Sequence, residues 1–359
     1  MISQIANKHA DKCRFCWMCR HLCPIQLQTG KEINTPRAKG LLLSMVARGE
    51  EYDRDMAQAM YECFLCDACT NDCATGYEPP LFIREARTEA VVKNLAPSAV
   101  MGLIDREEEK GTVFEGERAE FEAPDTGEVL IYIGETAAYR SPEIAEALLS
   151  LMKKAGISYM VMQKEPSSGA MLGDLMGYVE EVRQQAAACA DKINQSKASK
   201  IVVLDSYDAQ IMKQKYPEWG CEINPEITAA SVYVNELVRE GKLQIRKKMK
   251  GTAAYHDDDR AARTFHEFAS GRELTEALGY KRVEMFNHRE LAKSCGTSLA
   301  KLYMPEIVKK TAAGRWDDFL RTEAETLTTS NPQAYDCLRE AVPKGKELVD
   351  LFIALDKCC

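Results

Sequence analysis

Eight cysteines within the first 73 residues fall into two copies of one spacing. Cys13, Cys16, Cys19 and Cys23 form the first copy, with Pro24 next in line. Cys63, Cys66, Cys69 and Cys73 form the second, and both read C-x2-C-x2-C-x3-C. Thiolates are soft donors suited to iron, and this rhythm holds cubane 4Fe–4S clusters in pairs. Three cysteines at this spacing sit on one tight loop and cap three irons of a cube, while the fourth points away and serves the other cube. The expected ligand sets are therefore crossed: Cys13, Cys16, Cys19 and Cys73 for one cluster, Cys63, Cys66, Cys69 and Cys23 for the other. C-x2-C also occurs as a zinc half-site, disulfide ladders use paired cysteines, and a lone cysteine is often a small buried apolar residue. None of these fits runs of four in duplicate. The chemistry implied is electron transfer through two clusters.

Helices must carry the two runs. Thr35-Pro36 is a capped helix start, and Leu41, Leu42, Met45 and Val46 recur at helical spacing up to Gly49. A second helix over 53–62 delivers the chain to Cys63, and a third over 81–93 leaves Cys73 behind. The expectation is an α-helical two-cluster ferredoxin module over residues 1–100, in which Phe15, Trp17 and Phe64 shield the cubes from water. Residues 101–124 are charge-dense and Gly-punctuated, and read as a linker. Docking onto a basic partner is the functional alternative for that stretch.

Beyond it the pattern becomes α/β. Glu128–Gly134, Ile157–Met162 and Lys200–Leu204 read as strands, with helices from Pro142 to Gly156, over 174–195 and up to Tyr216. The order weakly repeats with strands at Thr252–His256 and Lys281–Phe286 and helices over 273–278, 298–313 and 316–325. Alternation of this kind means parallel sheets, in modules over residues 125–245 and 250–359.

Composition bounds the rest. The 359 residues suffice for two or three domains, 45 % are hydrophobic and 28 % charged, and the net charge is −8. A negative balance argues against nucleic acid as partner. No apolar run approaches the ~20 residues of a membrane span. Nothing in residues 1–11 resembles a signal peptide, so 14 cysteines suggest a reducing cytoplasm, and labile clusters suggest anaerobic metabolism.

With these features in place, the chain resembles the iron–sulfur subunits of heterodisulfide reductase, anaerobic glycerol-3-phosphate dehydrogenase and glycolate or lactate oxidase, over nearly its whole length. In that family a helical two-cluster module precedes two domains bearing a Cys-Cys-Gly motif. Gly134-x-Thr136 with Pro142-Glu143-Ile144-Ala145 resembles the opening of the first such domain, and Tyr255-His256-Asp257 the opening of the second. The family's cysteines are mostly replaced. Glu135, Ser167-Ser168-Gly169, Ser206 and Ala209 stand at the first domain's positions; Asp259, Ser294-Cys295-Gly296, Asn331-Pro332 and Ala334 stand at the second's. Only Cys295 remains. Hydroxyl and methyl groups cannot replace thiolates on iron, so the resemblance implies a metal-free rear and no catalytic residue.

Several residues stay open. Cys189, Cys221 and Cys337 read as buried thiols. Cys295 near His288 is a vestigial ligand or redox thiol in the alternative, and Cys358-Cys359 read as an exposed, disordered end. His256 with Asp257, Asp258 and Asp259 could bind a hard metal, although solvated acids at a strand end are the commoner meaning. The run Arg246–Lys250 is a solvated face or a patch for an acidic partner. The expected function is an electron-transfer subunit without flavin of its own. It would relay electrons between an FAD-linked dehydrogenase in a hetero-oligomer and ferredoxin, an electron-transferring flavoprotein or another carrier, with the α/β modules as docking surface. The alternatives are a heterodisulfide-reductase-like or quinone-linked catalytic subunit, which needs a third metal centre, and an iron–sulfur redox sensor.

Overall fold

The front of the chain is built from short capped helices. In the computed structural model, which describes residues 2–359, Thr35 accepts a hydrogen bond from the Ala38 amide at 3.1 Å and Pro36 opens helix Pro36–Ala47. Asp53 caps helix Arg54–Tyr61 in the same way, and Pro79 opens helix Pro79–Val92. The two short helices that leave the cysteine loops, Met18–Leu22 and Ala68–Asn71, pack on each other. The stretch expected as a linker differs from its reading: helix Ser98–Lys110 fills its first half and buries Val100, Leu103, Ile104 and Glu107. Apart from Glu107 the charges there occupy the remaining faces, so composition concealed an amphipathic helix.

Two parallel sheets follow. The first contains β1 (Val129–Tyr132), β2 (Tyr159–Val161), β3 (Lys200–Val203) and β4 (Glu226–Ala229) in the order β2-β1-β3-β4. The second contains β5 (Thr252–Tyr255), β6 (Lys281–Val283), β7 (Thr326–Thr329) and β8 (Glu347–Asp350) in the order β6-β5-β7-β8. All pairs are parallel, so one topology occurs twice. The helix expected over 174–195 is two, Ala170–Met176 and Glu180–Gln195, parted at Gly177. Its φ of +78° favours glycine, and a Cβ there would meet Thr88 Oγ1 at 2.1 Å.

Apolar packing joins the parts. Ile131, Ile133 and Val202 of the first sheet share one buried cluster with Ala253, Tyr255 and Phe352 from the second module. Met60, Leu65 and Phe82 of the front pack with Leu130 and Ile201, while Ile25 and Phe64 pack with Trp316, Phe319 and Leu327. The front therefore rests on both sheets. Gly314 allows the last contact, since a Cβ there would meet Gln28 Nε2 at 2.0 Å. The chain end corrects the expectation of disorder: Leu351–Cys358 is a helix capped by Asp350, and Cys358 is buried. The backbone amides of Arg246 and Lys247 donate to the Cys358 carbonyl, which gives the Arg246–Lys250 run a structural role at its start.

Candidate metal centre

Both cysteine loops bend in the same places. Phe15 and Trp17 in the first loop have φ of 54° and 70°, and Leu65 and Asp67, at the equivalent positions of the second, have 52° and 59°. Left-handed backbone costs an L-residue roughly 1–2 kcal/mol, and here it is imposed twice per loop on residues other than glycine. The bends turn amides onto sulfur, with Phe15 N at 3.5 Å from Cys13 Sγ and Leu65 N at 3.3 Å from Cys63 Sγ.

The loops enclose two cavities. Cys23, Cys63, Cys66 and Cys69 line the inner one, of about 30 Å³. Cys13, Cys16, Cys19 and Cys73 line the outer one, of about 130 Å³, together with Cys69. Among the described residues no three His, Cys, Asp or Glu side chains gather in a way that could hold a metal ion; the thiols ring open spaces instead. Burial, then the neighbouring thiolates, push Cys19 up to about 12 and Cys69 well above its ordinary value. Burial does the same to Cys66, up to about 12, against the opposing pull of Arg263. Four soft donors per cavity, amide hydrogen bonds to sulfur, and thiols that must lose protons to bind metal suit a cubane.

The surroundings of the two cavities differ sharply. Around the inner one, Arg87 donates to the Cys63 carbonyl at 2.7 Å, Arg263 to the Cys66 carbonyl at 2.6 Å and Arg260 to the Phe64 carbonyl at 3.3 Å. Lys39, buried beside them, donates to the Ile33 carbonyl; burial lowers its pKa while Cys63 and Cys23 raise it. Phe64 is buried, as expected of a shield. Around the outer cavity Cys16 is exposed, and Phe15, Trp17 and Met18 are 48 %, 41 % and 52 % exposed. Those side chains cover the site less than expected. Arg37 lies over the rings of Trp17 and Phe15, at 3.9 and 5.4 Å. Sequence reading passed over Lys39, Arg87, Arg260 and Arg263, since only the fold brings distant helices to one loop.

Residues 9–77 match the family described as a 4Fe-4S dicluster domain. Along its length the chain is similar to a subunit of the dihydromethanophenazine:CoB–CoM heterodisulfide reductase of Methanosarcina acetivorans, 22 % identical over 90 % of this chain and 86 % of that protein. It is also similar to the probable iron–sulfur-binding oxidoreductase FadF of Bacillus subtilis, at 25 % identity over 56 % of this chain and only 28 % of that protein. A probable membrane-anchored ferredoxin of Chromohalobacter salexigens is 22 % identical over 80 % of this chain and 46 % of its own length. These matches make the chain similar to iron–sulfur subunits of the heterodisulfide reductase type. Among the described residues no helix is long and apolar enough to cross a membrane.

The residues that stand at the resembled family's cysteine positions gather where the ends of the two sheets meet. Each sheet reverses strand order there, as crevices of doubly wound sheets do. Ser167 and Thr112 donate to Glu135 at 2.7 and 2.8 Å, and Ser168 donates to Asp208. Ser206 donates to Asp258 across the seam, while Asn331 and Gln333 donate to Asp205 at 3.0 and 2.9 Å. Burial raises Asp205 and Asp208, and raises Asp258 to about 6. The solvated acids expected at Asp257–Asp259 are instead largely enclosed. Asp257 takes both Arg272 nitrogens at 2.6 and 2.9 Å, and His256 Nδ1 accepts from Arg315 at 3.0 Å. Burial, then Arg315, holds that imidazole well below its ordinary pKa and neutral. Cys295 is buried near Cys337, with its carbonyl accepting from Thr311, and the His288 ring faces the Met285 carbonyl. Cys189, Cys221 and Cys337 are buried as expected.

Proposed function

We propose that the chain is an electron-transfer subunit holding two 4Fe–4S clusters, one on Cys13, Cys16, Cys19 and Cys73, the other on Cys63, Cys66, Cys69 and Cys23. When bound, each such cluster takes up and gives back one electron. The observation that carries this reading is the grouping of the eight cysteines around two cavities by loops of one backbone form. The chain's own residues would then do three things. Eight thiols ligate, the Phe15 and Leu65 amides donate to sulfur, and Lys39, Arg87, Arg260 and Arg263 set positive charge close to the inner set. Positive charge favours the more reduced, more negative state of a cluster, so the inner site would hold an electron more firmly.

An FAD-linked dehydrogenase is the partner this reading assigns to one end of the relay, with ferredoxin, an electron-transferring flavoprotein or a similar carrier at the other. The relatives named as a reductase subunit and an oxidoreductase support assembly with a redox partner. The heterodisulfide-reductase-like alternative needs a third centre, and the hydroxyl–carboxylate seam offers oxygen donors already hydrogen-bonded to one another. Strictly anaerobic purification from the native host tests the proposal. A flavoprotein that co-purifies and reduces cubane signals in this chain is the expected result. Iron-loaded chain that isolates alone and takes no electrons from any flavoprotein would overturn it.

A further inference from the structure

We propose that the face around Cys16 docks an acidic electron-carrier protein, a small partner with carboxylates around its own redox centre. This rests on the electron-transfer reading and deepens it, by naming the surface and the chemistry of the partner. The surface differs from the α/β modules that sequence alone suggested.

Charge singles out this face. Residues 13–31, which carry the outer loop, contain Arg14, Arg20 and Lys31 and no Asp or Glu, on a chain whose net charge is −8. Arg14, Trp17, Met18 and Arg37 line the outer cavity with the cysteines, and Arg20 lies 5.5 Å from the Trp17 ring. Glu32 pairs with Arg37 at 2.6 Å, but Arg14 donates only to backbone carbonyls, and Arg20 has no carboxylate partner among the described residues. Two guanidinium groups are thus left for carboxylates from elsewhere. A positive rim on a negative protein orients an acidic partner toward one point of its surface.

Side-chain type points the same way. Phe15, Trp17 and Met18 stand in water within that rim, and aromatic residues with arginine dominate the energetics of protein contacts. The equivalent residues of the second loop, Leu65, Asp67 and Ala68, are turned into the protein or partly covered. Small redox partners bind through limited, short-lived contacts, which such a patch suits.

The test uses the full chain, purified anaerobically, and an acidic bacterial ferredoxin as probe, with binding read by calorimetry. Between roughly 20 and 200 mM salt the affinity is expected to weaken about tenfold or more, as screened opposite charges do. The double variant Arg14→Glu/Arg20→Glu is expected to weaken low-salt binding by at least about tenfold, and Trp17→Ala several-fold. Lys247→Glu/Lys248→Glu, in the other basic run, should bind as the parent does. Iron content and circular dichroism establish that each variant is folded and loaded. Salt-independent binding, unaltered binding by Arg14→Glu/Arg20→Glu, or no binding by fully loaded chain would overturn the proposal. So would binding only to vesicles of anionic lipid, or self-association lost in the same double variant. A chain without iron overturns the electron-transfer reading, and this proposal with it.

Discussion

The two cysteine loops share a backbone and differ in almost everything around it. Each has left-handed residues at the second and fourth positions after its first cysteine and an amide turned onto that cysteine's sulfur. The first faces solvent through Phe15, Trp17 and Met18; the second lies beneath Arg260 and Arg263 from a helix almost two hundred residues away. Local sequence therefore sets the geometry of the cysteine loops, whereas tertiary packing sets water access and charge around them, the properties that tune the potential of a cluster held there.

The largest break in that comparison should come from removing ligands. Cys16→Ala is expected to leave about four of eight irons per chain and a thermal transition close to the parent's. Cys66→Ala should lose a similar share of iron and destabilise the fold, since its loop carries Phe64 into the packing against Trp316 and Phe319. Iron assay and thermal melts on both variants check this, and equal stability losses would erase the distinction. Next is Arg263→Ala, which strips donors from the Cys66, Glu290 and Ala292 carbonyls. A loss of about 3 kcal/mol is expected, with the inner cluster's spectrum altered and the outer one's unchanged.

Lys39→Met sharpens the electrostatic side. Removing a buried positive charge beside the inner thiols should lower that cluster's reduction potential by tens of millivolts and leave the outer potential in place. Redox titration followed by paramagnetic resonance reads both at once. Equal shifts in the two would mean that the clusters do not see separate environments.

Much of this was legible in the sequence. Spacing announced the two cysteine loops, proline and threonine announced the helix starts, and alternation announced the two parallel sheets. The misses have physical causes. β4 and β8 are short strands with exposed first residues, Glu226 and Glu347, and lack an apolar run. Helix Ser98–Lys110 hid behind its charges, and the last helix behind its position at the chain end. The polar seam was the deepest omission, because Asp258 reads as a solvated acid, Glu135 as a replaced family cysteine and Asp208 as nothing in particular until the fold encloses them among serine hydroxyls.

The smallest expected effect concerns that enclosure. Glu107 is buried near Glu135, and burial, then Glu135, push it up to about 8. A carboxyl raised in the fold stabilises it while protonated, and that contribution is lost as pH climbs from the unfolded value near 4.5 through about 8. Glu107→Gln should therefore melt like the parent at pH 5 and be more stable at pH 9, by about 1–2 kcal/mol. A parent whose stability is flat across that range would contradict this.

Two separate cubes on crossed sets of cysteines, one wet and one enclosed, are what everything else depends on. Mössbauer spectroscopy of anaerobically prepared, iron-57-labelled chain, followed through slow oxidation in air, tests this most directly. Two cubane components, about eight irons per chain in total, are expected, one decaying well before the other. A single component, a third centre, or two components that decay together would contradict it.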